Sequence, residues 1–160
     1  MIIIGYQGIG KSTLAGPENN CIDLESGNFW VTDKETGTAK RTDDWYKPYC
    51  NIANHLSSQG FIVFTSSHKQ VREELKNSDE YIMAIVPDLS LKDEWVKKLE
   101  DRYNESGLDK DFKAWKNAEE CYEENIKDIM NDIESTGNKK CYLAVINSMN
   151  YNLKDIIMSV

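Results

Sequence analysis

The chain has little arginine: Arg41, Arg72 and Arg102 are the only three in 160 residues. It also lacks an excess of basic charge, its net charge being −8. Duplex nucleic acid is held by clustered Lys and Arg, so nucleic acid is not expected as a main partner, although a local basic groove stays open. No apolar run approaches the ~20 residues that a membrane span requires. The first strand begins at Ile2, which leaves no room for a signal peptide, and a cytoplasmic protein is expected. The cysteines, Cys21, Cys50, Cys121 and Cys141, include no CxxC pair. They read as free thiols rather than a metal site, with Cys21 and Cys141 as small core residues. Internal repeats and low-complexity segments are absent as well. With 40% hydrophobic residues, the length suits a single domain over 1–160 with its own core.

What the chain does have is a glycine-rich loop at its start, Gly5-Tyr6-Gln7-Gly8-Ile9-Gly10-Lys11-Ser12-Thr13. It matches G-x-x-x-x-G-K-[ST], the Walker A pattern, and Ile2-Ile3-Ile4 supplies the strand that must precede it. Glycines let successive backbone N–H groups face phosphate oxygens. Gly8, Ile9, Gly10, Lys11, Ser12 and Thr13 are therefore expected to bind a nucleoside triphosphate. Lys11 would reach the β- and γ-phosphates, and the Ser12 hydroxyl would ligate Mg²⁺. A helix beginning near Lys11 would turn its positive dipole end toward the same anion.

Five apolar runs have strand length: Ile2–Ile4, Cys21–Leu24, Phe61–Thr65, Tyr81–Val86 and Tyr142–Ile146. The third and fourth are continuous, which suits parallel strands covered on both faces. Between them, Asp43 or Asp44 would cap a helix through Trp45, Tyr49 and Leu56 that ends at Gly60. His68 to Lys76 reads as a short helix. Ser90 would cap a helix carrying Trp95, Leu99 and Tyr103 and ended by Gly107. Phe112 to Ile133 marks a long amphipathic helix closed by Gly137, and Leu153 to Met158 a last short one. The polar stretch from Thr32 to Thr42 reads as a mobile loop. Strands alternating with helices predict an α/β fold with a parallel sheet.

Asp23 and Glu25 leave the second strand, where a doubly wound sheet opens its ligand crevice. A carboxylate there holds a Mg²⁺-bound water or accepts a proton from a substrate hydroxyl; otherwise both are solvated turn acids. The arginines follow the second, third and fourth strands in turn, in the segments where an acceptor clamp and a lid are built. They are candidates for substrate binding (Arg41, Arg72) and catalysis (Arg102), or else ordinary surface residues. Lys97, Lys98, Lys110, Lys113 and Lys116 could add to a basic lid. No Asp ends the third strand, so a motor-type ATPase is disfavoured; Thr65-Ser66-Ser67-His68 stands there instead, with His68 read as a helix-start residue. Asn147, after the fifth strand, is a candidate contact for the nucleotide base or a polar turn.

Together, the Gly5–Ser12 loop, five strands, acids after the second strand and a charged helical insertion before the fifth resemble the nucleoside monophosphate kinase-like group of P-loop kinases. Small phage-type deoxynucleotide kinases are the most similar in layout. Asp23-x-Glu25 also looks like the D-x-D element of shikimate- and gluconate-type kinases, whose first acid serves Mg²⁺ and whose second serves the acceptor hydroxyl. The resemblance implies a three-layer P-loop NTPase fold with a five-stranded parallel sheet in order 2-3-1-4-5. It also implies an acceptor-binding segment over 27–60, a helical lid over 90–116 and adenine near Asn147. Lys11, Asp23 and Arg102 would be catalytic, with Ser12 and Asp23 on Mg²⁺. Where adenylate kinases carry an Asp-Gly-x-Pro-Arg-type element, this chain has Thr65-Ser66-Ser67-His68, which points away from an adenylate substrate. The expectation is an ATP- and Mg²⁺-dependent phosphotransferase acting on a small acceptor, a (deoxy)nucleoside monophosphate first of all, as a monomer or homodimer. The alternatives are an NTP-hydrolysing switch protein, a kinase of a non-nucleotide hydroxyl, and a nucleotide-binding module without catalysis.

Overall fold

Ile2-Ile3-Ile4 is a β-branched run, and such a run is satisfied as a strand buried on both faces. The computed structural model describes residues 1–137 and 139–159. In it the chain runs β1 (Ile2–Gly5), α1 (Lys11–Leu14), β2 (Cys21–Asp23), β3 (Trp30–Thr32), β4 (Ala39–Arg41), α2 (Tyr46–Ser58), β5 (Ile62–Thr65), α3 (Lys69–Leu75), β6 (Ile82–Pro87), α4 (Lys92–Ser106), α5 (Asp109–Glu134), β7 (Cys141–Ile146) and α6 (Leu153–Met158).

The central sheet has the order β2-β5-β1-β6-β7, and every pairing in it is parallel. This differs in number from the expected 2-3-1-4-5 because two further strands enter the count. β3 and β4 pair antiparallel as a separate ribbon, with Trp30 opposite Arg41 and Thr32 opposite Ala39. β4, the turn and the last residue of β3 fall in Thr32 to Thr42, the stretch expected to be a mobile loop. Its turn is ordered by Asp33, which accepts from the Glu35 and Thr36 amides and pairs with Lys40 at 3.2 Å. The five segments expected as strands are the five members of the parallel sheet. The coarse reading, an α/β fold with a five-stranded parallel sheet flanked by helices, therefore holds.

β1 lies between β5 and β6, with register Ile3 to Phe64 and Ile3 to Met83. All of these residues are fully buried. Each such side chain contributes about 1.5–3 kcal/mol by leaving water. Helix α2 covers β1 and β5, and α5 covers β6 and β7. Tyr122, Ile126, Ile129 and Ile133 form the buried stripe of α5. The helix is broken at Cys121 (φ −128°, ψ 21°).

Several capping expectations fail. Neither Asp43 nor Asp44 caps α2: its N-cap is Trp45, without a side-chain hydrogen bond, and Asp44 pairs instead with Lys47 at 3.3 Å. Ser90 does not cap α4. Asp88 caps the preceding turn by accepting from the Ser90 amide at 2.9 Å. Gly107 ends α4 in the left-handed region, as expected of a residue without Cβ. Among the cysteines, Cys21 and Cys50 are buried, while Cys121 and Cys141 are half-buried.

Candidate functional site

The chain runs from β1 out to β2 and β5 on one side and to β6 and β7 on the other. The sheet order therefore reverses at β1, and a crevice opens at the carboxyl ends beside it. Three connections meet there: the Gly5–Gly10 loop after β1, Asp23 to Ser26 after β2, and Ser66 to His68 after β5.

In the loop, Gly8 (φ +85°) and Gly10 (φ +97°) adopt backbone conformations that other residues rarely take. Among the described residues, the N–H groups of Gly8, Gly10, Lys11 and Ser12 donate to no protein acceptor. The opposite face of the loop is covered. Trp95 donates its indole N–H to the Gln7 carbonyl (2.9 Å), and Tyr151 donates to the Ile9 carbonyl (3.0 Å). Ile9 is buried beneath the loop and does not reach the crevice. The helix expected from Lys11 is one turn long, Lys11–Leu14. Its dipole is correspondingly small, so the loop amides and Lys11 carry the positive potential.

Lys11 folds back over its own loop and donates from Nζ to the Gly5 carbonyl at 2.9 Å. Burial lowers its pKa; Asp23 and Glu25 pull it back up, and Arg102 lowers it further. Asp23 shows the converse. Burial raises its carboxyl pKa, Lys11 opposes that, and Glu25 adds to it. A desolvated carboxylate beside an open hydroxyl suits a divalent cation, and Mg²⁺ takes only one or two protein ligands alongside water and phosphate oxygens. Ser12 and Asp23 fit that set. Among the described residues, no cluster of three or more His, Cys, Asp or Glu forms a self-contained metal cage.

Two cavities lie in the crevice. The smaller, about 490 Å³, is lined by Gly8, Gly10, Lys11, Ser12, Thr13 and Asp23. Its far wall carries Arg102, Lys98, Lys110 and Asp111 from α4 and α5. The larger, about 900 Å³, is lined by Trp30, Arg41, His68, Lys69, Arg72 and Lys113, among others. Both volumes fall in the range of ligand pockets, about 300–1,000 Å³. The cavities share Gln7, Lys11, Glu25, Ser26, Ser66, Lys110 and Ala114, so they form one continuous cleft.

The predicted residues do not all gather there in the expected way. Gly8, Gly10, Lys11, Ser12, Thr13, Asp23, Glu25, Arg41, Arg72 and Arg102 line the cleft. Glu25 is exposed and faces Lys110 at 3.9 Å. Arg102 is held by the buried Asp111 at 2.5 Å, and Ser106 donates to the other carboxylate oxygen. Arg72 is buried. Its Nε donates to Asp132 at 2.7 Å and its Nη1 to the Ser67 carbonyl at 2.5 Å, so it staples α3 to α5 rather than waiting for a ligand. Asn147 is exposed and lines neither cavity, so its expected contact with the nucleotide base has no support. Of the lysines after Arg102, Lys110 and Lys113 line the cleft, whereas Lys116 pairs with Glu119 on its own helix.

Arg41 is held on several sides in the wall of the larger cavity. Its guanidinium lies over the Trp45 ring (4.3 Å) and the Trp30 ring (5.3 Å), and donates to Ser26 Oγ at 2.8 Å and to His68 Nε2 at 3.1 Å. A guanidinium only donates, so His68 Nε2 accepts and its proton sits on Nδ1, which donates to Ser66 Oγ at 2.9 Å. Burial, followed by Arg41 and Lys11, pushes the His68 pKa down to about 4. His68 thus starts α3, as expected, and also holds Arg41. Nothing in its sequence position signals that second task, because Arg41 lies 27 residues away. Tyr49 adds a further tie: its hydroxyl donates to the Leu24 carbonyl at 2.7 Å and accepts from the Ser66 amide at 2.8 Å, joining the ends of β2 and β5.

No protein-family model matches the chain, and no curated protein does. Among solved structures, the chain is similar to the crystal structure of an uncharacterized protein from Eubacterium ventriosum, at 16% identity over 91% of this chain and 89% of that one, with a TM-score of 0.40. That likeness is too distant to carry an argument about fold or site. No described helix is long and apolar enough to cross a membrane.

Proposed function

We propose that the protein is an ATP- and Mg²⁺-dependent phosphotransferase of the P-loop type, acting on a (deoxy)nucleoside monophosphate. One observation carries the reading: two ligand-sized cavities meet at Lys11. A nucleotide hydrolase needs one cavity and a path for water. A kinase needs two, joined where the phosphoryl group passes.

On this reading the smaller cavity is the donor half. The open amides of Gly8, Gly10, Lys11 and Ser12 hold the triphosphate, and Ser12 with Asp23 holds Mg²⁺, which supplies positive charge to the phosphate oxygens when bound. The larger cavity is the acceptor half, a role its cations support: Arg41, Lys69, Lys110 and Lys113 suit a phosphorylated acceptor better than the neutral hydroxyl of a shikimate- or gluconate-like substrate. Lys11 sits where charge builds during transfer, and its burial makes that charge count for more. Arg102 and Lys110 reach the cleft from the α4–α5 hairpin, which takes the part of the lid that excludes water.

The test is ADP formation from ATP and Mg²⁺ across nucleoside monophosphates, nucleosides, shikimate and gluconate. Stimulation by monophosphates, abolished in Lys11→Ala, supports the reading. ADP formation that no acceptor stimulates makes the protein a hydrolase instead.

A further inference from the structure

Phe29 and Trp30 are neighbours at the start of the β3–β4 ribbon, yet they have opposite surroundings. Phe29 packs against the core, with its ring edge-to-face on Tyr49 at 5.2 Å. Trp30 lines the larger cavity and keeps 45% of its surface exposed. Two other rings lie in that wall. Tyr6 is 2% exposed, and His68 is engaged by Arg41 and Ser66. Trp30 is therefore the open aromatic surface of the cavity. The ribbon holds it there through the pairing of Trp30 with Arg41 and the turn around Asp33.

The residue across the ribbon supplies the second half of the argument. The Arg41 guanidinium lies over the Trp30 ring at 5.3 Å, and its other partners are Trp45, Ser26 and His68. Among the described residues, none of its partners is a carboxylate. The neighbouring cations of the cavity differ. Lys69 faces Glu73, Arg72 faces Asp132, Lys110 faces Glu25 and Lys113 faces Asp109. A half-buried cation without a counter-ion favours an anion arriving from solution. The open indole thus stands directly beside the place where an anion is wanted.

A ligand that satisfies both features carries a phosphate and a planar ring. A sugar phosphate satisfies only the first. We propose that Trp30 is the stacking platform for the base of the acceptor nucleotide, whose phosphate lies against Arg41. Stacking accepts every base, because each has a π-face, and a purine gains more from it than a pyrimidine by its larger ring. The inference rests on the larger cavity being the acceptor half. It makes Trp30 the residue that selects a nucleotide over a sugar phosphate, by contact with the ring rather than by hydrogen bonds to its edge.

The experiment compares calorimetric binding of AMP, GMP, CMP, UMP and ribose 5-phosphate, without ATP, in the wild type, Trp30→Ala and Trp30→Phe. ADP formation from ATP and Mg²⁺ is followed with each compound. Trp30→Ala should weaken every nucleoside monophosphate ~5-fold or more and leave ribose 5-phosphate unchanged. Trp30→Phe, which keeps a ring, should restore most of the loss. Of the four tryptophans only Trp30 is exposed, so the monophosphates should quench the wild-type fluorescence and the quench should vanish in Trp30→Phe. Equal wild-type binding of ribose 5-phosphate and the nucleotides overturns the platform. So does an equal loss for both in Trp30→Ala, which marks a structural role, or a nucleotide affinity that Trp30→Ala leaves unaltered. ADP formation stimulated by monophosphates with an unaltered KM in Trp30→Ala overturns the platform and leaves the phosphotransferase reading standing. Trp30-dependent binding of monophosphates without turnover does the reverse, and failure of every monophosphate to bind overturns both.

Discussion

Gly8 is packed closely against α4, and replacing it with alanine separates two costs. The residue sits at φ +85°, where a side chain costs about 1–2 kcal/mol. An added Cβ would also lie 2.9 Å from Leu99 Cδ2 and 3.2 Å from Trp95 Nε1. Both neighbours are fully buried, and Trp95 is anchored by its bond to the Gln7 carbonyl. Relief therefore means moving α4 off the loop, an overpacking cost of about 1–3 kcal/mol. The sum, about 2–5 kcal/mol, corresponds to a fall in Tm of roughly 4–20 °C for a chain of this length. Gly60→Ala is the control. Gly60 has a similar φ of +92° but open space where the Cβ would go, so it should lose only about 1–2 kcal/mol, roughly 2–8 °C. Thermal unfolding of the two variants side by side decides the matter. Equal losses would refute the close packing of α4 on the loop, and with it the position of Arg102 and Lys98 at the cavity wall.

Other outcomes follow from the charged groups. Arg72→Ala should cost roughly 2–3 kcal/mol in urea unfolding, less than the 3–5 of a broken buried pair because Asp132 keeps Lys76 at 3.5 Å. Arg41→Lys should raise the KM for a monophosphate ~10-fold with little change in Tm, since an ammonium cannot bond His68 and Ser26 from one planar fork between two indoles. His68 is neutral when folded, with a pKa near 4 against 6.5 unfolded. Between those values the unfolded chain binds more protons, so stability is retained above about pH 6.5 and lost as pH falls toward 4. The residue is exposed overall, and solvent screening reduces the loss to on the order of 1 kcal/mol. The gap in unfolding free energy between the wild type and His68→Gln should therefore narrow on acidification, and a constant gap would contradict the assignment of His68 as a neutral acceptor for Arg41.

The sheet was legible because each of its strands is an apolar run short enough to exclude a buried helix, from Ile2-Ile3-Ile4 to Tyr142–Ile146. The glycine loop was legible because its residues act through backbone freedom, which sequence spacing records directly. The ribbon of β3 and β4 was not, since Trp30–Thr32 and Ala39–Arg41 are short and exposed and are paired by a turn around Asp33. Arginine roles were equally hidden. Arg41, Arg72 and Arg102 look alike in the chain, but their partners Trp45 and His68, Asp132, and Asp111 arrive from other elements.

The fate of the γ-phosphorus of ATP tests the two-cavity account most directly. With γ-labelled ATP, Mg²⁺ and a nucleoside monophosphate, the label should appear in the nucleoside diphosphate formed from the acceptor, and Lys11→Ala should form none. Label released as orthophosphate, at a rate indifferent to any acceptor, would contradict it.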